Sequence, residues 1–395
     1  MRKLVPVVAL AAIPLLLAAC SSSSPAPSSS SAPAASSASA APSDTAVVAD
    51  ATVIEVGKLP FDITMYCGTK PMVVGILDAY GGNGWAQGKK ALLEKLSKSC
   101  PNVTDVLYVD ANFDLAKYIA GVDSLVAQGA NVIETFDPFG TAANAAFLKA
   151  QKAGVLVGNA NAIPGDGTVP ATLTSDVIPD LQAEAEIWVK WLTRATDNKG
   201  KIAYIGGPAG NTFDVPSLEA VKKAIVNQGS GIVVVTPEPV AGNWDPATTQ
   251  QAMTGLLQKN PDINGVILTY TATGPAILRA YDAANLPYPA LTGQSSSMEF
   301  VCMVGTAQKK DAKFQAQSLD GSPNLHGLDL AKLFAAFQGV SAPELGATDT
   351  DTLISYPEYV NSLDGVMPAC DPNTPPSADL STALSAEEMA AVFAK

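Results

Sequence analysis

The sequence predicts an α/β protein made of two lobes, each a doubly wound parallel sheet. Three observations carry that expectation. From Met72 onward, short apolar runs alternate with segments of helical period, and sustained βαβα alternation means parallel sheets covered on both faces. A signal-like start and an uncharged Ser/Ala/Pro tract precede them, and the remaining chain of about 330 residues is long enough for two domains. The alternation is divided near Thr174–Pro179, which separates one block from the other.

Taken in order, Met1-Arg2-Lys3 is a short basic start, Leu4 to Ala19 is apolar, and Leu17-Ala18-Ala19-Cys20 closes it with small residues. That layout is an export signal, too short and wrongly ended for a spanning helix. The tract SSSSPAPSSSSAPAASSASAAPS after Cys20 has no apolar face to bury and predicts a flexible tether. We therefore expect a signal over 1–19 and a tether over 20–65. The net charge of −13 argues against a nucleic-acid partner. Beyond Cys20 stand Cys67, Cys100, Cys302 and Cys370. In an exported chain four cysteines allow three pairings. Cys67–Cys100 with Cys302–Cys370 is favoured, since each pair brackets one local unit. No close C-x₂-C pair suggests zinc.

MVVGILD (Met72 to Asp78) reads as a buried first strand, and GGNGWAQGKK (Gly81 to Lys90) opens a helix after it. This turn fits neither phosphate-loop nor dinucleotide glycine spacing. Strands follow at DVLYVD, NVIETFD and VLVGN, with Leu115, Tyr118, Ile119, Val122, Leu125 and Val126 along one face of a helix between the first two. Thr141 is expected to cap the next helix. The second block repeats the pattern at KIAYIG, GIVVV, INGVILTY and Pro289–Gly293, with Asp245-Pro246 as a capped helix start. Trp188 and Trp191 lie three apart on a helix and read as core. Asp110-x-Asn112-x-Asp114 begins like a calcium loop, but Leu115 and Gly121 stand where Gly and Glu are needed, so it reads as a turn and helix cap. His326 is the only histidine, and no G-x-S-x-G elbow is present. No enzyme activity, metal or cofactor is expected.

FDLAKYIAGVDSLVAQGANVIETFDP (Phe113 to Pro138), LLQKNPDINGVI and NWDPATTQQAMTGLL together resemble the type I periplasmic binding proteins of the ribose-binding group, over roughly Lys70 to Val340. Leu17 to Cys20 resembles the lipobox of bacterial lipoproteins, whose cysteine takes the lipid. The resemblance implies two lobes joined by a three-crossover hinge. Its expected division is 66–175 plus about 314–342 for the N-terminal lobe and 176–313 plus about 343–375 for the C-terminal one, with 376–395 an unassigned tail. It also implies a small ligand clamped between the lobes and handed to an ABC-type permease by a protein lipid-anchored through Cys20 to the outer face of the cell membrane. Two or three acyl chains suffice for such an anchor, at about 0.8 kcal/mol per buried CH₂.

In open parallel sheets ligands lie beyond the carboxyl ends of the strands, which names the candidates. Tyr80, Asn83 and Trp85 occupy the first such loop, where glycines let the backbone approach a ligand. Trp85 has a second reading, as a core residue starting the helix. Trp244 would be its counterpart in the other lobe. Asp78, Asp137, Asn159 and Asn161 end strands of the first lobe, and Asn211, Tyr270 and Gln294 follow strands of the second. Gln317 or Asp320 lies near the third crossover. Each of these polar residues has an alternative role as a helix cap. The mature chain carries only Arg194 and Arg279, neither at a strand end, so an anionic ligand would lack its donors. The expectation is a neutral polyhydroxyl ligand such as a sugar. A cationic amino sugar or polyamine, a nucleoside or purine, and a sensor role beside a membrane receptor stay open.

Overall fold

The computed structural model describes residues 53–55, 62–163, 171–319, 322–346 and 352–394. The expected signal, Cys20, most of the expected tether and Asp320 lie outside the described residues.

The N-terminal lobe contains β1 (Val53–Glu55), β2 (Met72–Asp78), α1 (Gly84–Lys98), β3 (Val103–Asp110), α2 (Leu115–Ala127), β4 (Val132–Phe136), α3 (Asn144–Lys152), β5 (Leu156–Ala160) and β6 (Ser175–Pro179). The C-terminal lobe follows with α4 (Leu181–Ala195), β7 (Lys201–Gly206), α5 (Asp214–Asn227), β8 (Val233–Val234), β9 (Val240–Ala241), α6 (Pro246–Lys259), β10 (Gly265–Leu268), α7 (Gly274–Ala284), β11 (Ala290–Gly293), α8 (Met298–Lys310) and β12 (Gln317–Leu319). The chain then returns with α9 (Ser322–Gln338) and β13 (Thr352–Ser355), crosses again to β14 (Glu358–Asn361), and ends in α10 (Ala386–Phe393).

The first sheet is parallel in the order β1-β13-β6-β5-β4-β2-β3. The second runs β11-β10-β7-β8, also parallel, with β9 beside β7. Burial explains the sequence patterns. Val74, Ile76 and Leu77 of β2 are fully buried because helices cover both faces, so the strand reads as a continuous apolar run. Tyr118, Val122 and Leu125 are the buried face of α2. Asp114 caps that helix through Lys117 N–H at 3.0 Å, and Asp110 bonds Asn112 N–H at 2.8 Å, a turn and a cap. Asp245 likewise caps α6 through Thr248 N–H at 2.8 Å. Thr141 does not cap α3; it sits inside a 3-10 turn, Gly140–Ala143, that leads into the helix. Trp188 and Trp191 are core, with ring N–H groups bonded to Gly293 O and Asn361 Oδ1. The cysteines pair as Cys67–Cys100 and Cys302–Cys370, each closing a loop whose lost chain entropy contributes about 4 kcal/mol.

The lobe boundaries differ from the expected ones. Two elements fall inside or across the end of the span read as tether: β1 pairs with β13, and a 3-10 turn covers Ile63–Tyr66, capped by Asp62. Residues 175–179 pair with β5, so the first crossing comes after Pro179. Phe314 and Ala316 are buried in the C-terminal core, and Leu291 and Gln294 bridge Ala316 and Leu319, so the second crossing comes after Leu319 and not at 314. Because β13 completes the first sheet beside β6, the third falls after Ser355 and not near 343. The chain then passes between the lobes once more, because α10 docks on α1 through Lys95 and Glu388.

Candidate functional site

Between the lobes is a small gap, lined by Tyr80, Asn83, Trp85, Phe136, Asn161, Phe213, Trp244, Thr269, Tyr270, Gln294 and Ser295. Six of these are aromatic, and none carries a formal charge. Its surface is therefore ring faces interrupted by hydroxyl and amide groups.

The N-terminal wall is built at the ends of β2, β4 and β5. Asn83 caps α1, its Oδ1 accepting from Ala86 N–H at 2.9 Å, which leaves its Nδ2 for the gap. Trp85 stands in the first turn, edge-on to Phe136 at 5.4 Å between centroids and to His326 at the same distance. The Lys89 Nζ lies 5.5 Å from the Trp85 ring and 5.8 Å from Phe136, supporting both from behind. Tyr80 stacks on Phe113 at 4.8 Å. Asn161 adopts φ 63 and accepts from the Tyr356 hydroxyl at 3.3 Å.

The C-terminal wall centres on Trp244, whose Nε1–H donates to Thr269 Oγ1 at 2.9 Å. A Cβ on Gly207 would collide with this indole, so only glycine admits the ring there. Trp244 reaches across to Phe113 and Phe136, at 5.7 and 6.1 Å. A further contact bridges the lobes: Thr212 N–H donates to Pro138 O at 3.2 Å. Gln294 is 5% exposed, and its Oε1 has no partner among the described residues.

Seven of the expected residues thus meet in one place: Tyr80, Asn83, Trp85, Asn161, Trp244, Tyr270 and Gln294. Trp85 combines its two readings, being nearly buried and also part of the lining. Five expected residues serve the scaffold instead. Asp78 is paired with Lys89 and accepts from Tyr108 at 3.1 Å, all behind the wall. Asn159 accepts from Asp137 N–H and donates to Ala162 O and Asp176, tying three strand ends together. Asn211 folds back on Phe213 and Asp214 N–H to start α5. Gln317 accepts from Thr292 at 2.7 Å and donates to Glu358. Asp137 is fully buried, with one oxygen on Phe139 N–H.

Four lining residues escaped the sequence reading. Phe136 ends a buried strand and Phe213 opens a helix, so both look like core; Thr269 and Ser295 each adjoin a residue that was named. Nor do the first-loop glycines open the backbone to a ligand. At Gly84 the missing side chain makes room for the Ser377 carbonyl, which occupies the place a Cβ would need.

Burial raises the Asp137 carboxyl to about 7, opposed by its bond to Phe139 N–H. A carboxyl raised on folding contributes stability that is complete below its unfolded value near 3.8 and is lost as pH rises toward 7. Asp137→Asn should therefore stabilise the protein by a few kcal/mol at pH 8 and hardly at all at pH 4, since each tenfold change in proton affinity is worth about 1.4 kcal/mol. Urea unfolding at the two pH values measures this. An equal gain at both would show that charge burial is not the cause.

A family profile described as a periplasmic binding protein domain matches residues 74–325 of the 395. The chain belongs to the periplasmic binding protein family. That family comprises binding proteins and not enzymes. No curated protein sequence matches the chain. Among solved structures, an ABC transporter solute binding protein from Thermobispora bispora aligns with TM-score 0.63 and 20% identity, over 80% of this chain and 93% of that one. The periplasmic component of the arabinose ABC transporter from Shewanella, bound to L-arabinofuranose, gives 0.61 and 17%, over 72% and 90%. A solute binding protein from Bacillus halodurans with bound myo-inositol gives 0.59 and 17%, over 75% and 96%. At these identities the likeness is one of fold. For a binding protein of this family, the gap between lobes is the place to look for the solute.

Proposed function

We propose that the protein is an extracytoplasmic solute-binding lipoprotein that closes on a neutral polyhydroxyl compound, a sugar or cyclitol, and delivers it to an ABC importer. The uncharged, aromatic lining of the gap is the observation that carries this reading. Ring faces suit the C–H faces of a sugar, while the amides and hydroxyls serve its O–H groups. Arg194 supports the same conclusion from outside, being bound to Asp364 well away from the gap. The sugars and cyclitol in the related structures are of this chemistry. Lipid attachment at Cys20 rests on the sequence Leu17 to Cys20. The wealth of aromatic rings also favours a second reading, a nucleoside held by stacking.

Thermal-shift screening of the soluble domain against L-arabinose, D-galactose, myo-inositol, adenosine, spermidine and acidic solutes tests the proposal. A ligand at 100 times its Kd adds about 2.7 kcal/mol of stability, a clear rise in Tm. Shifts from sugars or cyclitols support it, and a shift from adenosine alone selects the second reading. A response confined to carboxylates or amino acids would refute both.

A further inference from the structure

The chain beyond Cys370 is attached on both sides of the gap. On the C-terminal lobe the disulfide to Cys302 fixes its start. Pro376 O and Ala378 O then accept from Glu299 and Met298 N–H at 2.8 and 3.1 Å, and Leu380 N–H donates to Ser296 O at 2.6 Å. On the other side, Ser377 O lies against Gly84 at the start of α1. Ala383 N–H donates to Asn324 Oδ1 of α9 at 2.9 Å, Glu388 pairs with Lys95, and the buried Met389 packs over Gly88. Midway, the buried Asp379 accepts the Ser295 hydroxyl on one oxygen and the Ser381 N–H and hydroxyl on the other. Ser295 lines the gap in a left-handed conformation, φ 67. It is held there by its N–H on Leu319 O at 3.0 Å and its carbonyl under Thr271 Oγ1.

We propose that this C-terminal segment is a working part of the binding device: a strap tying the two lobes beside the gap, with Asp379 as a positioning residue for Ser295. Its two ends are unequal. The C-terminal-lobe end is covalent and backbone-paired, whereas beyond Ser381 the N-terminal-lobe end rests on one amide bond, a half-exposed ion pair, the buried Met389 and the partly buried Ala383 and Leu384. Opening the gap therefore releases residues 383–394 first, and their docking favours the closed arrangement. With its proton held by Asp379, Ser295 Oγ turns lone pairs toward the gap and accepts from a donor hydroxyl on the ligand. This second part rests on reading the gap as the ligand site.

The test of the strap needs no ligand. Spin labels at Lys117 and Gln258, exposed positions on α2 and α6, report the distance between lobes with and without residues 383–395, a deletion that spares Asp379, Ser381 and the disulfide. The strap predicts a shift to longer distances in the shortened protein; an unchanged distribution overturns it. Should the deletion fail to fold, the pair Lys95→Glu and Met389→Gln must give the same shift, and its absence overturns the strap equally. Whichever of L-arabinose, D-galactose or myo-inositol binds the full chain should bind the shortened one roughly tenfold more weakly, ~1.4 kcal/mol. For Asp379, the losses of affinity in Asp379→Ala and Ser295→Ala should not add in the double variant; additive losses overturn the positioning role. If none of the three compounds binds the full chain, the sugar reading fails while the distance measurement still decides the strap.

Discussion

Trp244→Gly is expected to weaken ligand binding roughly a hundredfold, while relief of a strained backbone offsets part of its cost to the ligand-free protein. Asn243 and Trp244 have φ 56 and 50, two successive non-glycine residues in the left-handed region. That conformation costs a side-chain-bearing residue of order 1 kcal/mol, and glycine adopts it freely. The backbone thus recovers only part of what the largely buried indole loses in packing on Phe113 and Phe136. Binding has no such compensation. The C-terminal wall loses its largest ring, and Thr269 loses its bond from Nε1. Burial of an aromatic face and its stacking together amount to some 2–4 kcal/mol, so affinity should fall roughly a hundredfold or more. Calorimetric titration and unfolding of the same variant measure the two effects. Undiminished affinity would remove Trp244 from the site, and a large fall in ligand-free stability would show that its strained backbone serves packing instead.

Lys89→Met should cost about 3–5 kcal/mol of stability at pH 7. Lys89 and Asp78 are both fully buried and paired. Around them lie Glu134, bonded to His326 Nδ1 at 2.5 Å, and Asp329. Burial raises the carboxyls of Asp78, Glu134 and Asp329, the last to about 8, and pushes the His326 imidazole well below its usual range. Lys89 is a counter-charge for this cluster, opposing the rise at both Asp78 and Glu134. Without it, Asp78 is left as a buried charge or must take a proton. The loss should accordingly shrink as pH falls and the carboxyl becomes neutral in any case, and Asp78→Asn in the same chain should restore much of it. A loss identical at pH 4 and pH 7 would point to misfitted packing instead of charge.

The sequence shows the sheet and helix order well, because apolar periodicity is a local property. Met72–Asp78 and Lys201–Gly206 have the bounds read from the chain. It shows less of the crossings, which depend on where an apolar residue finds its partners. Phe314 could face either core, and only the packing against Tyr288, 5.8 Å away, decides. The gap follows the same division. Residues just past a strand end are easy to name, but whether such a side chain turns into the gap or back onto a neighbouring amide is a matter of rotamer and context. Asn161 turns in, and Asn159, two positions earlier, turns back. Buried support such as Lys89 is invisible in a linear reading, since a lysine in a short glycine- and lysine-bearing helix start looks like a solvated one.

The pairing of β1 with β13 joins residues 53–55 to 353–355. A sheet whose edge is supplied from so far along the chain cannot be finished while that chain is still being delivered N-terminus first, from a ribosome or through a membrane pore. Contacts of this range slow folding, since a long loop must close before they form. Neither lobe can therefore be completed before the last fifth of the chain is delivered, since β14 and Cys370 of the second follow β13 of the first, and a chaperone would find the unclosed edge of the first sheet exposed in the interval.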